Sequence, residues 1–447
     1  MRIVFFSTNS NRFDGESFCI RTVPSRKSVF DSLAESYPED EFFVVTQLPA
    51  SFVADVAGND FAETSSRVQY RRCQKENASD IAAEILLLNP DLAVAATFWV
   101  TPFDWLPVQD GMISDMLRER GVRTLCHPTE FSLDCFDKYR THLLLEKHGF
   151  PMPEAMHLDY QQFWCERSHR ELKTNVYKAY VLRKLEKMSY PVVIKDTVGL
   201  SSYGMEVAVS YKQALYYLYS GRTNSDRLIE EYLSGEQFGT EIYGSDGNYT
   251  VMPPLMFSLN RYGITSPKQS VKLGPVTNEK YKIAELNEML ISLAKKLHLC
   301  GTAQVDLVFS GGKWFIIEIN PRLSGMSETY AAALRTTVPH LLTRIARGEK
   351  ICGTALQSVC NIKLPLLTDA QMESLSHIPA VRYIHQIHNT AAKQEREKGY
   401  CEIILAADSV PEVMAELERL AADFPDLVES VFLENARALA ISLRPVQ

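Results

Sequence analysis

The residue types best suited to chemistry lie in one run: Gln304-Val305-Asp306-Leu307-Val308-Phe309, then Ser310-Gly311-Gly312-Lys313, then Trp314-Phe315-Ile316-Ile317-Glu318-Ile319-Asn320-Pro321-Arg322. Two apolar segments around a Gly-Gly pair predict a β-hairpin. Side chains alternate along a strand, so Glu318 and Asn320 share a face, ~7 Å apart. An odd-length turn with a glycine bulge would bring Asp306 onto that face from across the ladder. Two carboxylates and an amide then converge among apolar neighbours, where unpaired carboxylates are costly to bury. Mg²⁺ relieves that cost, with Mn²⁺ as a possible substitute. It is a hard ion that takes one or two carboxylates and fills its other positions with phosphate oxygens. The competing reading is a solvent-facing edge carrying unrelated acids.

Two further pieces could handle phosphate and a nucleotide. Tyr190-Pro191-Val192-Val193-Ile194-Lys195 predicts a strand that ends in a lysine. Asp196-Thr197-Val198-Gly199-Leu200-Ser201-Ser202-Tyr203-Gly204 follows, a loop in which glycines frame two serines. Such a loop can bring backbone N–H groups to phosphate oxygens and hinge over them. The same residues are equally a solvated lysine before a plain hairpin. Leu228-Ile229-Glu230-Glu231-Tyr232-Leu233-Ser234-Gly235-Glu236-Gln237 reads as a strand and a turn. Its backbone could face an adenine edge and its later polar side chains a ribose. In isolation it is also an ordinary charged strand end.

These pieces need elements to hold them. Arg2–Phe6, Phe42–Val45 and Leu92–Ala96 look like buried strands, and between the last two Ala78–Leu88 looks like a helix stopped by Asn89-Pro90. Strands alternating with helices predict a parallel α/β domain over 1–130. Residues 134–149 read as one amphipathic helix stopped at Gly149. Segment 159–189 looks helical, and short strands with glycine-rich turns follow it. The tail from about 355 predicts a strand, Tyr400–Leu405, and a helix, Pro411–Ala422, with Ser409 before its proline.

The bulk composition narrows the classes. At roughly 150 residues per domain, 447 residues allow about three domains. With 46% hydrophobic and 23% charged residues the chain has an ordinary globular profile. A net charge of -8 argues against a general nucleic-acid binder but not against a nucleotide site, where two or three local cations suffice. None of the nine cysteines forms Cys-x-x-Cys, which points away from a zinc site or disulfide framework and towards a reducing compartment. The start is too short an apolar run for a signal peptide, and no run reaches membrane-spanning length, so the expectation is a cytoplasmic protein with no membrane partner. A protein kinase is excluded because no His-Arg-Asp or Asp-Phe-Gly follows Lys195. A P-loop is excluded because Gly311-Gly312-Lys313 continues with Trp314.

Taken in order, the pieces resemble the ATP-grasp superfamily, and within it the carboxylate–amine ligases, over about residues 1–350. The resemblance implies α/β plus α+β architecture. A Rossmann-like N-terminal domain (1–130) precedes a first ATP-grasp lobe with its linker helix (131–225) and a second lobe with the metal site (226–352). A small α+β C-terminal domain (353–447) would follow. It implies that Lys138, next to Asp137, and Lys195 bind the α- and β-phosphates of ATP. The phosphate loop would be 199–204, with Ser201, Ser202 and Gly204. Glu230, Glu231, Tyr232 and Leu233 would form the adenine hinge. Asp306, Glu318 and Asn320 would be the Mg²⁺ ligands, and Arg322 the catalytic arginine. Many relatives place a ribose-binding acid where this sequence has Gln237, so either Gln237 or Glu236 makes that contact. The implied reaction joins a carboxylate to an amine, with amino acids as the family-level substrates, through an acylphosphate and with release of ADP and phosphate. A homo-oligomer is compatible with this. The alternatives are a bicarbonate-using enzyme of the biotin-carboxylase or carbamoyl-phosphate type, and a nucleotide-binding subunit without chemistry. Segments 159–189 and 258–276, with Tyr177, Tyr180, Tyr262 and Lys268, would wall the substrate pocket.

Overall fold

The structure is a computed structural model and describes residues 1–8, 18–98, 106–164, 174–198, 205–220, 225–259, 270–351, 356–392 and 398–444. Ser201, Ser202, Gly204, Tyr262 and Lys268 lie outside them.

The N-terminal apolar runs form a five-stranded sheet ordered Gln69–Arg72, Glu41–Thr46, Arg2–Ser7, Leu92–Ala95, Arg123–Leu125. Every pairing in it is parallel. A parallel sheet is covered on both faces, which is why its strands read as unbroken apolar runs. Ile3 and Phe5 pack against Phe30 and Leu33 of the helix Arg26–Ser36. Val4 and Phe6 pack the other way, on Ile81 and Ile85 of Ala78–Leu86 and on Ile113 and Leu117 of Leu106–Glu119. The strand order reverses beside Arg2–Ser7, as in a Rossmann-like fold.

The next sheet is four-stranded and antiparallel, ordered Glu206–Ala208, Val192–Asp196, Arg227–Glu231, Ala155–Leu158. Val192 and Ile194 are buried with Val181 and Leu185 of the helix Val176–Glu186. Val193 and Lys195 therefore point to the other face, as strand alternation requires. The helices Tyr160–Trp164 and Val176–Glu186 supply the outer helical layer of this lobe. Within it, the Tyr177 hydroxyl accepts from Asp159 N at 2.8 Å, and Tyr180 is exposed.

The third sheet is twelve-stranded. It starts at the hairpin of Gly301–Ser310 and Lys313–Asn320, runs through Glu236–Ser245, Leu255–Phe257 and Val271–Gly274, and continues into Ser358–Leu364, Gly399–Ala407 and Val381–Asn389. Beyond these it takes in Phe18–Val23, which pairs antiparallel with Val381–Asn389. One face of this sheet packs on the helices Ile283–Lys296, Val410–Asp423 and Ser430–Leu443 through a single apolar core. Ser409 caps Val410–Asp423 by accepting from Glu412 N. Against the opposite face lie Ser327–Ala333 and Val338–Ala346.

The single helix expected over 134–149 is two helices, Thr129–Phe136 and Lys138–His148. Asp137 divides them with extended backbone, φ -101° and ψ 120°, and its side chain accepts from Tyr139 N and Arg140 N. A short acid that satisfies two otherwise orphaned N–H groups outcompetes helix continuation at that point. No helix among the described residues is long and apolar enough to cross a membrane.

Candidate active site

The Gly311-Gly312 turn has φ of 57° and 73° and joins Ser310 directly to its ladder partner Lys313. It is therefore a two-residue turn, not the odd-length one expected. Continued evenly, that register would pair Asp306 with Ile317 and turn its side chain away from Glu318. A bulge between Asp306 and Leu307 shifts the ladder, so that Leu307 pairs with Ile316 but Asp306 with Glu318. The extra residue is Ile317. The shared face is thus reached by a mid-strand bulge, a device that re-aims side chains next to functional sites.

On this face Asp306 and Glu318 stand opposite each other, and Gln304 stands opposite Asn320. Burial, with the facing Glu318 carboxylate adding to it, pushes the Asp306 carboxyl up to about 6; a hydrogen bond from Gln304 and the charges of Lys272 and Arg322 oppose the rise. Gln304 Nε2 donates to Asp306 Oδ1 at 2.7 Å. Arg322 Nη2 donates to Asn320 Oδ1 at 3.2 Å, and Arg322 Nη1 donates to Leu323 O at 3.2 Å. The turn after Arg322 is anchored on buried Glu241, whose Oε1 accepts from Ser324 Oγ at 2.8 Å and Ser327 Oγ at 2.7 Å.

The lysines approach from the first lobe and the linker. Lys138 is the first residue of its helix, and its backbone N donates to Thr197 O at 2.7 Å, just past the Lys195 strand. Its ammonium reaches across to Glu318 Oε1 at 3.6 Å. Lys195 is buried and pairs with Glu230 Oε2 at 2.5 Å. Glu230 lies opposite Val193 in the ladder and so on the Lys195 face. His142 sits one turn after Lys138. Burial lowers its pKa from the usual value, against the raising effect of Glu230. The charges of Glu230 and Lys195 both act on His142, which shares a helix face with Lys138.

The segment from Glu230 to Leu233 is tied on both sides: Glu231 N donates to Glu154 O at 2.9 Å and Tyr232 N to Pro191 O at 3.3 Å. Leu233 follows, half-buried. Glu236 turns towards the helix-side core, where the Tyr281 hydroxyl donates to its Oε1 at 3.4 Å. Gln237 therefore lies on the opposite face with Gly239, the ladder partner of Asp306. Gln304, His142, Glu241 and Lys272 escaped the sequence reading. Gln304 and His142 carried a signal, each at strand or helix spacing from a chosen residue. Lys272 lay within the segment 258–276 expected to wall the pocket without being singled out, and Glu241 carried none.

The ATP-grasp domain family matches residues 135–326. Those residues are similar to ATP-grasp domains. Among solved structures, the whole chain resembles the L-amino acid ligase of Bacillus licheniformis (TM-score 0.64, 14% identity, 94% of this chain and 97% of that one). It also resembles N5-carboxyaminoimidazole ribonucleotide synthetase of Thermus thermophilus (0.61, 14%, 94% and 98%). A third likeness is to the biotin carboxylase domain of the Hydrogenobacter thermophilus 2-oxoglutarate carboxylase, in complex with MgADP, ADP and bicarbonate (0.58, 14%, 93% and 89%). The chain therefore shares the fold of these enzymes over nearly all its length. In sequence, a stretch of 175 residues is 28% identical to the carbamoyl phosphate synthase large chain of Clostridium botulinum. That match covers 38% of this chain and only 16% of the relative.

Proposed function

We propose that this chain is an ATP-dependent ligase that joins a small-molecule carboxylate to an amine through an acylphosphate. The observation that carries the reading is the hairpin face on which Asp306 opposes Glu318 while Asn320 orients Arg322. Two like charges held across one ladder, one of them driven towards protonation, form a donor set that a hard divalent cation fits. Asp306, Glu318 and Asn320 would hold Mg²⁺, which when bound neutralises charge on the β- and γ-phosphates.

In this reading Lys138 and Lys195 clamp the phosphates, and Lys195 leaves Glu230 as ATP enters. Glu230, Glu231, Tyr232 and Leu233 border the adenine, with Gln237 towards the ribose. Ser201, Ser202 and Gly204 belong to the phosphate loop. A substrate carboxylate oxygen attacks the γ-phosphorus in line, and the bond to the β-phosphate oxygen breaks to release ADP. The amine then attacks the acyl carbon, giving a tetrahedral centre that expels phosphate as the nitrogen loses a proton. Arg322 offers a planar fork of donors to the transferred phosphoryl group and then to the oxyanion. Such a site works by placing cations and excluding water, more than by acid–base exchange.

The likeness to a biotin carboxylase domain and to carbamoyl phosphate synthase favours a second reading, in which bicarbonate is the acid. Purified chain with ATP and Mg²⁺ separates the two. ADP formation with bicarbonate alone is compared with ADP formation on an amino-acid panel, singly and in pairs, with product mass read alongside. Turnover that needs bicarbonate and no organic acid overturns the ligase.

A further inference from the structure

The face that bears Asp306 continues across the sheet into the C-terminal strands. Asp306 is opposite Gly239, and Gly239 is opposite Leu255. Two residues on, Phe257 is opposite Lys272, and Lys272 is opposite Asn361. Two residues further, Lys363 is opposite Glu402. Opposed residues and those two apart share a face, so Asp306, Lys272, Asn361, Lys363 and Glu402 line one side.

Their contacts are unbalanced. Asn361 Nδ2 donates to Glu402 Oε1 at 2.6 Å and to Thr329 Oγ1 at 2.7 Å, which fixes the carboxylate at a buried position. The Lys272 ammonium has a ring contact, 5.8 Å from the Phe257 centroid, and no hydrogen bond or ion pair among the described residues. Burial lowers its pKa, with the nearby Glu402 charge opposing that effect. Lys272 and Glu402 nevertheless border one gap. A Cβ placed on Gly325 would lie 3.5 Å from Lys272 Nζ and 3.6 Å from Glu402 Oε1. Gly325 comes three residues after Arg322, in the turn that Ser324 and Ser327 anchor on Glu241.

An ammonium and a carboxylate that flank a gap without closing on each other match a ligand carrying both charges in reverse. We propose that the carboxylate donor is an amino acid seated over Gly325, its ammonium on Glu402 and its carboxylate drawn by Lys272 towards Arg322. Glu402 and Lys272 are then specificity-determining residues. Glu402 is supplied by a C-terminal strand, which gives that part of the chain a role in choosing the substrate. This rests on the ligase reading above.

The test uses the full chain with ATP and Mg²⁺, L-amino acids, and the matching acids that lack the amino group, such as alanine against propionate. ADP release gives KM for each. Wild type should favour the amino acid by about tenfold or more, as loss of one charge-assisted hydrogen bond implies. Glu402→Gln should abolish that preference and leave the KM for ATP unchanged. Lys272→Met should raise KM for both acids. Gly325→Ala is the variant that tests the gap without disturbing the fold. Its methyl makes ordinary contacts and no left-handed backbone is involved, yet it fills the space between the charges, so the amino-acid KM should rise about tenfold. Turnover of amino acids with discrimination intact in Glu402→Gln, or with an unchanged KM in Gly325→Ala, overturns this assignment and leaves the ligase standing. If no amino acid supports ADP formation in the wild type, the ligase reading fails and this inference fails with it.

Discussion

The two walls of the cleft manage charge in opposite ways. On the first lobe, buried Lys195 is already matched by Glu230. On the second lobe, Asp306 faces Glu318, two like charges, and Lys138 reaches in at 3.6 Å from Glu318. Under the proposed ligase reading, the first wall would give up an internal partner to bind phosphate, whereas the second, where like charges face each other, would gain by binding a cation. The two walls should therefore respond differently to the same kind of substitution.

The largest effect is expected at Glu318. Glu318→Gln removes one metal-directed charge and should lower ADP-forming turnover on the order of 10²–10³-fold. It also removes a like-charge repulsion, so thermal unfolding should not move to lower temperature. Unchanged turnover at limiting Mg²⁺ would remove Glu318 from the site. Lys195→Met should behave in the reverse manner. It strands Glu230 without a partner at a buried position and should cost about 3–5 kcal/mol of stability, read by denaturant unfolding. Adding Glu230→Gln should restore most of that stability while ATP affinity stays weak. If the double variant recovers ATP binding as well, the first wall does not contact phosphate.

The pH dependence sharpens the contrast. Asp306 is raised from the ordinary carboxylate value to about 6, so the folded chain binds its proton more tightly than the unfolded chain does. The penalty of the ionised group is present above about pH 6 and is relieved as pH falls towards the ordinary value. A metal must displace that proton, so Mg²⁺ affinity should fall by roughly tenfold per pH unit below about 6. Titration calorimetry at several pH values reads this directly, and Asp306→Asn should flatten the profile. The smallest effect belongs to the linker. Asp137→Ala loses the cap that starts the helix at Lys138 and should cost about 1 kcal/mol. It should also raise the KM for ATP, because Lys138 no longer starts from a fixed point; an unchanged KM would show that Lys138 is placed by other contacts.

Much of this was readable in the chain. The unbroken apolar runs of the first domain announced a sheet covered on both sides. The alternation Val192, Val193, Ile194, Lys195 placed the lysine on the face away from the core. Ser409 before Val410 marked a helix start. The helix break at Asp137 was missed because period alone carries straight through it, although an Asp followed by helix formers is a cap signal. The hairpin was anticipated with its turn type wrong. Gly311-Gly312 announces a two-residue turn, but the bulge at Ile317 leaves no mark on a run of isoleucines and phenylalanine.

What the sequence determined by itself was the set of local choices: which segments form strands, and where lysine and acids fall on them. Those depend on neighbours a few residues away. Only the tertiary structure decided the pairings. It decided that Asp306 meets Glu318 through a bulge, that Gln237 rather than Glu236 turns to the Asp306 face, and that Lys195 rests on Glu230. It also decided that Phe18–Val23 joins strands more than 350 residues later in one continuous sheet. Each of these depends on the register between distant segments, and a one-residue slip in register reverses which face every side chain occupies.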